Sequence, residues 1–203
     1  MKSILIALVI ILFTNSCVSI NKDYLINDVI CNYNDSIFYA SKDELKIDLN
    51  ILKQEKNNDG DIVITENKVY KNLYYTLSSN SIWNRQINKP LRIVKSIKYR
   101  KNGTIEFCTI YFNGKSKIFN ETYYDEQGNI TKVIDYEKGY TICWAEAIEI
   151  VKKIAKRDIE KYEVTGFNLK HTNLNKFPNV KPEWVISLNG NEEYQRKPYK
   201  FTI

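Results

Sequence analysis

The chain has 203 residues, of which 43% are hydrophobic and 13% aromatic, and its formal net charge is +6. This length suits one domain or two small ones, and the composition allows a buried core. The basic residues are spread along the chain in short pairs, such as Lys152 with Lys153 and Lys156 with Arg157, instead of forming one stripe. This distribution argues against a nucleic-acid-binding protein, and we expect no nucleic-acid partner.

The N-terminal segment reads MKSILIALVIILFTNSC, in which Lys2 precedes an uninterrupted apolar run at residues 4–13. This run is too short for a permanent transmembrane helix, which needs about 20 residues. It suits the apolar region of a secretory signal. Ser16 and Cys17 resemble the lipobox of bacterial lipoproteins, and the relaxed sequence before them is similar to the form found in Bacteroidota.

This resemblance implies a lipoprotein signal peptide over residues 1–16, lipid attachment at Cys17, and an anchor and tether over residues 17–35. Stable anchoring takes more than one acyl chain, and a di- or triacylated cysteine meets that condition. The protein is then expected in the bacterial cell envelope, facing the periplasm or the surface, with the membrane as a partner through lipidated Cys17. An uncleaved N-terminal anchor or an ordinary secretory signal is the alternative.

Three further cysteines, Cys31, Cys108 and Cys143, remain if Cys17 carries lipid. An oxidising compartment permits one disulfide among them with one thiol left over, and the sequence leaves all three pairings open. Buried free cysteines are an equally good interpretation. The spacing of the cysteines matches no zinc-ligand pattern, and we expect no metal ion or other cofactor.

Residues 36–140 predict a β-rich region. We expect a first strand at 36–40 and a hairpin at 45–65, because hydrophobic and polar residues alternate in LKIDLNIL and the turn sequence KNNDGD follows. Further strands are expected at 70–77 and 93–99.

Residues 99–139 contain an internal repeat with a period of 25 residues. Shifting the sequence by this period superimposes two tyrosine pairs, one isoleucine pair and two glycine pairs. Glycine supplies the positive φ of tight turns, so the repeat predicts a string of short antiparallel strands. The matched pairs are Tyr99 with Tyr124, Gly103 with Gly128, Ile105 with Ile130, Tyr111 with Tyr136, and Gly114 with Gly139.

This pattern of aromatic residues and glycine turns resembles the MORN-repeat variant of bacterial proteins, which includes a group described as antitoxin-like. The resemblance covers about 40 of the 203 residues. It implies a β-hairpin architecture, and the antitoxin-like group implies an immunity role. Two units are fewer than the three that a free-standing repeat array needs, so we expect them to pack against other elements.

Residues 141–203 predict a helix followed by strands, within the same domain as the β-rich region. The helix is expected over 141–162 with Thr141 as its N-cap. Strands are expected in FNLKH, EWVISL and PYKFTI, and the last two form a terminal hairpin. The residues that recur at helical spacing, and so predict the apolar face of the helix, are Trp144, Ala147, Ile148, Val151, Ile154 and Ala155.

Together these elements predict an α+β fold. An antiparallel sheet of hairpins or a meander is packed by one C-terminal amphipathic helix and completed by a final β-hairpin. The order of the C-terminal elements is similar to that of small periplasmic PepSY modules.

Candidate catalytic residues are sparse. The single histidine, His171, has no G-x-S-x-G motif to supply a nucleophilic serine. Paired carboxylates such as Asp125 with Glu126 stand in turn sequences, where acidic residues are common. We therefore expect that the protein is not an enzyme.

Tyrosine is the residue type in excess, with 15 copies. Because tyrosine and tryptophan are favoured in binding surfaces, Tyr123, Tyr124 and Tyr140 at the repeat turns are predicted to line a binding face. We expect a non-catalytic module that binds another protein, and an immunity protein against an interbacterial toxin is its sharpest form. The alternative is a glycan- or envelope-binding lipoprotein in which Trp83, Trp184 or exposed tyrosines stack on sugar rings.

Overall fold

A computed structural model describes residues 31, 33–77, 81–174, 176–190 and 200–203. The predicted signal peptide, Cys17 and most of the predicted tether lie outside the described residues. The described chain forms one large antiparallel meander and one small sheet with few helices. It is therefore mostly β-structure with some helix, which agrees in outline with the predicted α+β fold.

The large sheet has seven strands, and each strand pairs antiparallel with the next one along the chain. Short connections suit this order, because antiparallel neighbours need only a tight turn between them. The strands expected at 70–77 and 93–99 are confirmed. The seven strands are β1 (Ile62–Glu66), β2 (Tyr70–Thr76), β3 (Ile82–Asn88), β4 (Ile93–Tyr99), β5 (Ile105–Phe112), β6 (Ser116–Tyr124) and β7 (Ile130–Asp135).

The small sheet has three antiparallel strands in the order β10-β9-β8, and two helices precede it in the chain. Its last two strands pair with Val185 opposite Thr202, at the place where the sequence predicts the terminal hairpin. The elements are α1 (Trp144–Ile154), α2 (Lys156–Lys161), β8 (Gly166–His171), β9 (Trp184–Asn189) and β10 (Lys200–Thr202).

The turns within residues 99–139 repeat with the same hydrogen bonds. The backbone N–H of Arg100 donates to the carbonyl oxygen of Thr104 over 2.8 Å, and 25 residues later Asp125 donates to Asn129 over 2.9 Å. The strand before each turn has a register shift at its last residue. A positive φ is required at the glycine of each turn, and it is 82° at Gly103 and 85° at Gly128.

The predicted strand at 36–40 and the first arm of the predicted hairpin at 45–65 are wrong. Carboxylate oxygens of Asp35 and Asp48 accept hydrogen bonds from backbone N–H groups two residues later, over 3.0 and 2.9 Å. Such local bonds start turns and compete with strand pairing. The second arm of the predicted hairpin is strand β1, which pairs with β2 instead. This region contains three 3-10 helices, Ser36–Phe38, Lys42–Glu44 and Leu49–Lys53.

Residues 33–53 lie over one face of the large sheet, and we call them the N-terminal cover. Ile37, Phe38 and Ile47 are buried in the same hydrophobic core as the sheet and helix α1. The backbone N–H of Ile47 also donates to the carbonyl oxygen of Gly103 over 3.0 Å. The cover therefore closes the core on the side that the meander alone leaves open.

Strand β3 has no counterpart among the predicted strands. Its side chains alternate, but those that point to the core include Asn84, which is fully buried, and Gln86, which is 8% exposed. A half-buried strand normally shows apolar residues at alternate positions. The polar residues at the buried positions hide this pattern.

The predicted helix over 141–162 is two helices, with a break at Ala155 (φ −94°, ψ 17°). The predicted N-cap Thr141 is also wrong, because α1 begins after Cys143, whose backbone N–H donates to the Glu146 carboxylate over 2.9 Å. Ile154 was expected on the apolar face but is 56% exposed. The other residues of that face are buried: Trp144, Ala147, Ile148, Val151 and Ala155.

A disulfide joins Cys31 to Cys143, with 6.5 Å between the two Cα atoms and a sequence separation of 112. It ties the start of the described chain to the start of helix α1. Cys108 is free and buried, and burial raises the pKa of its thiol to about 12. The structure thus selects one of the three pairings that the sequence left open.

Candidate binding face

The two faces of the large sheet have different environments. Successive side chains of a strand point to opposite faces. On β4, Lys95 and Ile97 point toward the N-terminal cover and are buried, whereas Lys98 points to the other side and is partly exposed. We call the side under the cover the inner face and the opposite side the outer face.

Aromatic and lysine side chains form a line across the outer face, one on each strand from β2 to β7, and we call it the aromatic row. Neighbouring strands lie about 4.8 Å apart, so the row is about 24 Å long. Every aromatic member is partly exposed. The register places the six members side by side as Tyr75, Trp83, Lys98, Phe107, Tyr123 and Lys132.

The rings of the row contact one another in sequence. The ring centroids of Tyr75 and Trp83 are 6.3 Å apart, those of Trp83 and Phe107 are 5.6 Å apart, and those of Phe107 and Tyr123 are 5.5 Å apart. The Nζ atom of Lys98 lies 5.7 Å from the Phe107 centroid. Such contacts hold the rings in fixed positions and leave their outward surfaces available.

A buried carboxylate holds the Tyr123 end of the row. Glu121 is 3% exposed, and its carboxylate accepts hydrogen bonds from Lys117 Nζ and from the Tyr123 hydroxyl, with the Tyr136 hydroxyl 3.3 Å away. Burial acts to raise the pKa of Glu121, but the bonds from Lys117 and Tyr123 outweigh it and lower the pKa. The bond to Glu121, with burial, raises the pKa of Tyr123 to about 12.

These shifts keep Glu121 and Lys117 charged at neutral pH, because burial of the Lys117 amine is also outweighed by its bonds to Glu121 and Tyr136, which raise its pKa. A general acid or base needs a pKa near the working pH. The arrangement therefore orients Tyr123 and does not provide a group that exchanges protons readily.

The three tyrosines expected to share a binding face lie in three different places. Tyr123 belongs to the aromatic row. Tyr124 points to the opposite side and is 8% exposed, so it is part of the core. The Tyr140 ring lies 4.6 Å from that of Trp184, and its hydroxyl is 2.9 Å from the carbonyl oxygen of Thr172. The expectation of one surface containing all three is corrected, since alternation along β6 separates Tyr123 from Tyr124.

Trp184, proposed as a sugar-stacking residue, is fully buried, and its Nε1 donates to the carbonyl oxygen of Ile142 over 3.0 Å. His171 packs against the same tryptophan at 5.5 Å and against Tyr136 at 5.7 Å. Burial lowers the pKa of His171, and its Nδ1 lies 3.3 Å from the Thr172 carbonyl oxygen. These surroundings are typical of a neutral core histidine.

The carboxylate pair at Asp125 and Glu126 has a structural explanation. The Asp125 carboxylate accepts hydrogen bonds from the backbone N–H groups of Gln127 and Asn129, over 2.9 and 2.8 Å, and so fixes the β6–β7 turn. Across the described ranges, no group of three or more His, Cys, Asp or Glu residues is placed to hold a metal ion.

Most of the aromatic row was not predicted from the sequence, although the 25-residue period contains the signal. Lys98 and Tyr123 are 25 residues apart, as are Phe107 and Lys132, so each repeat unit contributes one pair of equivalent positions. These positions carry different residue types in the two units. A search for identical residues therefore missed them, whereas a search for equivalent exposed positions would have found them.

No protein-family model matches this chain, and no curated protein or solved structure is significantly similar to it. The resemblances to lipoproteins, to MORN-variant repeats and to PepSY modules therefore stay predictions. In the part of the chain that the structure describes, none of the helices has the length and apolar character needed to cross a membrane.

Proposed function

We propose that the protein is a lipid-anchored component of the bacterial cell envelope that binds another protein without catalysing a reaction, and that the aromatic row is its contact surface. The observation that carries the proposal is the line of four partly exposed rings that, together with two lysines, crosses six strands of one sheet. Tryptophan and tyrosine dominate the energetics of protein interfaces, because they bring a large rigid area with a polar tip.

The disulfide supports the exported location. Disulfides persist in oxidising compartments such as the periplasm and the cell surface and are rare in the cytosol. Cys31 lies 14 residues after Cys17, so the first described residue of the domain follows the proposed anchor by a short tether. A lipid on Cys17 would hold the folded domain close to the membrane surface.

The sharpest form of this proposal is an immunity protein that binds and blocks an interbacterial toxin. An inhibitor needs a rigid surface and no catalytic group. The ring contacts within the row and the Glu121 hydrogen bonds supply such rigidity. The resemblance of the repeat to the antitoxin-like group points to a toxin as the protein that is bound.

The protein-binding proposal is tested by cross-linking the tagged chain in its native envelope and identifying the captured proteins. We expect one stoichiometric protein with the wild type and loss of that protein with Trp83→Ala. Phe177→Ala is the matched control, because Phe177 is an aromatic residue outside the row that is 58% exposed. Equal capture by all three chains would exclude the aromatic row as the contact surface.

Glycan or envelope binding is the second candidate, and the geometry of Trp83 favours it. The rings of Tyr75 and Trp83 are nearly parallel, with 12° between their planes. A partly exposed pair of nearly parallel rings suits stacking against a sugar chain. Retention of envelope polysaccharide by the wild type but not by Trp83→Ala, with no captured protein, would favour this candidate.

A further inference from the structure

A small cavity next to the aromatic row is lined by three cationic side chains. It has a volume of about 260 Å³ and lies where the β3–β4 and β5–β6 turns meet on the outer face. Its lining includes Arg85, Lys89, Arg92, Asn113 and Gly114. We call it the basic cavity.

The positive charge of the basic cavity is only partly balanced. Lys89 Nζ lies 3.0 Å from a carboxylate oxygen of Glu66. Arg92 donates to the carbonyl oxygen of Thr165, which carries no formal charge. Within the described part of the chain, neither Arg85 nor Arg92 makes an ion pair. Three cationic residues therefore line one concave site, and the Glu66 carboxylate, which also contacts Lys71, balances only one of them.

The β5–β6 turn contacts two of these residues, the Arg85 guanidinium and the Arg92 backbone. Asn113 and Gly114 both have positive φ, 52° and 67°, and the backbone N–H of Asn113 donates to the carbonyl oxygen of Arg92 over 2.6 Å. A Cβ atom at Gly114 would lie 3.3 Å from Arg85 Nη2. The absence of a side chain at this glycine lets the guanidinium lie against the turn.

We propose that the basic cavity binds a phosphate group. A guanidinium offers paired N–H donors that match phosphate oxygens, and a concave site lined by one sign of charge concentrates counter-ions of the opposite sign. The source is free phosphate or a phosphorylated sugar. Arg85 and Trp83 point to the same face of β3 about 7 Å apart, so a phosphorylated sugar held by Arg85 would reach the Trp83 ring. The site does not depend on the proposed protein partner.

The test is a titration of the intact chain with inorganic phosphate at constant ionic strength, followed by NMR of the arginine side-chain Nε–Hε groups. We expect saturable shifts of the Arg85 and Arg92 signals. Arg85→Gln should weaken binding by about tenfold or more, as loss of a charged hydrogen bond does. Lys101→Gln is the matched control, since it removes the same charge from an exposed turn that does not line the cavity.

Two results would overturn the proposal: shifts that rise linearly without saturation, or equal saturation in Arg85→Gln and Lys101→Gln. Arg85→Lys, which keeps the charge, guards against a folding defect and should retain part of the affinity. A hexose phosphate then identifies the source. Tighter binding than inorganic phosphate, lost in Trp83→Ala, assigns a phosphorylated sugar, whereas equal affinities assign free phosphate.

Discussion

Lys95 and Lys98 lie three residues apart on strand β4, yet their environments are opposite. The Lys95 side chain is 2% exposed, and its Nζ lies 2.9 Å from Glu44 and within 3.2 Å of the carbonyl oxygens of Ser36 and Tyr39. The Lys98 side chain is 25% exposed and lies over a ring of the aromatic row. The same residue type thus joins the N-terminal cover to the inner face and lies over an aromatic ring on the outer face.

This comparison shows how one sheet can serve stability and binding separately. Contacts on the inner face are buried and join distant parts of the chain, so their loss should unfold the protein. Contacts within the aromatic row are partly exposed and lie between strands that are close together in the sheet, so their loss should leave the fold intact. Four experiments test this division, in order of decreasing expected effect on stability.

The largest effect is expected from removing the disulfide that anchors the N-terminal cover. Replacing both Cys31 and Cys143 by serine should lower the free energy of unfolding by about 4 kcal/mol, because the closed loop of the unfolded chain is long. Urea denaturation of the oxidised wild type and the double variant measures the difference. A change below about 1 kcal/mol would mean that the cover is held by its other contacts.

The next largest loss of stability is expected at Lys95, and Lys98 on the same strand is its comparison. Lys95→Met should cost about 3 kcal/mol, because it leaves Glu44 and two carbonyl oxygens without their buried cation. Lys98→Met should cost less than about 1 kcal/mol, because its ion pair with Glu106 is exposed to solvent. Equal costs in urea denaturation would contradict the division between the faces.

Part of this division was predictable from the sequence. The turns of the repeat and the apolar residues of β4 correctly predicted the strands and turns in the middle of the meander, because glycine turns and hydrophobic strands are local signals. The N-terminal cover was not predictable in the same way. Its alternating residues suit a strand, and the contacts that place it across the sheet, such as those of Glu44 with Lys95 and Gln86, are tertiary.

The candidate site was less predictable than the fold. Tyr123 was identified from its residue type, but Tyr124 has the same type and lies in the core. Trp83 and Trp184 were equally good candidates in sequence, and burial separates them. The register that aligns Trp83, Lys98 and Phe107 depends on bulges and strand pairing, which no local pattern determines.

A smaller effect is expected from pH at the edge of the cover. The Tyr33 hydroxyl donates to the Glu137 carboxylate over 2.5 Å, and the Tyr33 ring stacks on Phe119 at 4.2 Å. Burial raises the pKa of Glu137 to about 7, against the bonds from Tyr33 and Phe119 that lower it. The folded state therefore holds a proton that the unfolded state releases between about pH 4.5 and pH 7.

The contribution of Glu137 to stability is full below about pH 4.5 and is lost as the pH rises toward 7, a change on the order of 2 kcal/mol. Burial lowers the pKa of His171, so its contribution changes in the opposite direction over part of this range. The measurement is therefore the difference in unfolding free energy between the wild type and Glu137→Gln at pH 5, 6, 7 and 8. We expect this difference to shift with pH in favour of Glu137→Gln as the pH rises. A difference that stays constant would show that Glu137 is ionised in the folded protein.

The smallest effect on stability is expected in the aromatic row, where the effect on binding should be the largest. Trp83 is partly exposed, its ring contacts those of Tyr75 and Phe107, and its Nε1 donates to the Ser81 hydroxyl over 3.2 Å. Trp83→Ala should cost about 1 kcal/mol of stability, since ring pairs of this kind contribute roughly that much. At a hot spot the same change should weaken binding of the captured partner at least about thirtyfold, which corresponds to about 2 kcal/mol.

The opposite result is expected for Trp184→Ala. Because the Trp184 ring is buried in the core, its loss should cost about 4 kcal/mol of stability. If Trp83→Ala unfolds the protein as readily as Trp184→Ala, the outer face is a second core and not a binding surface.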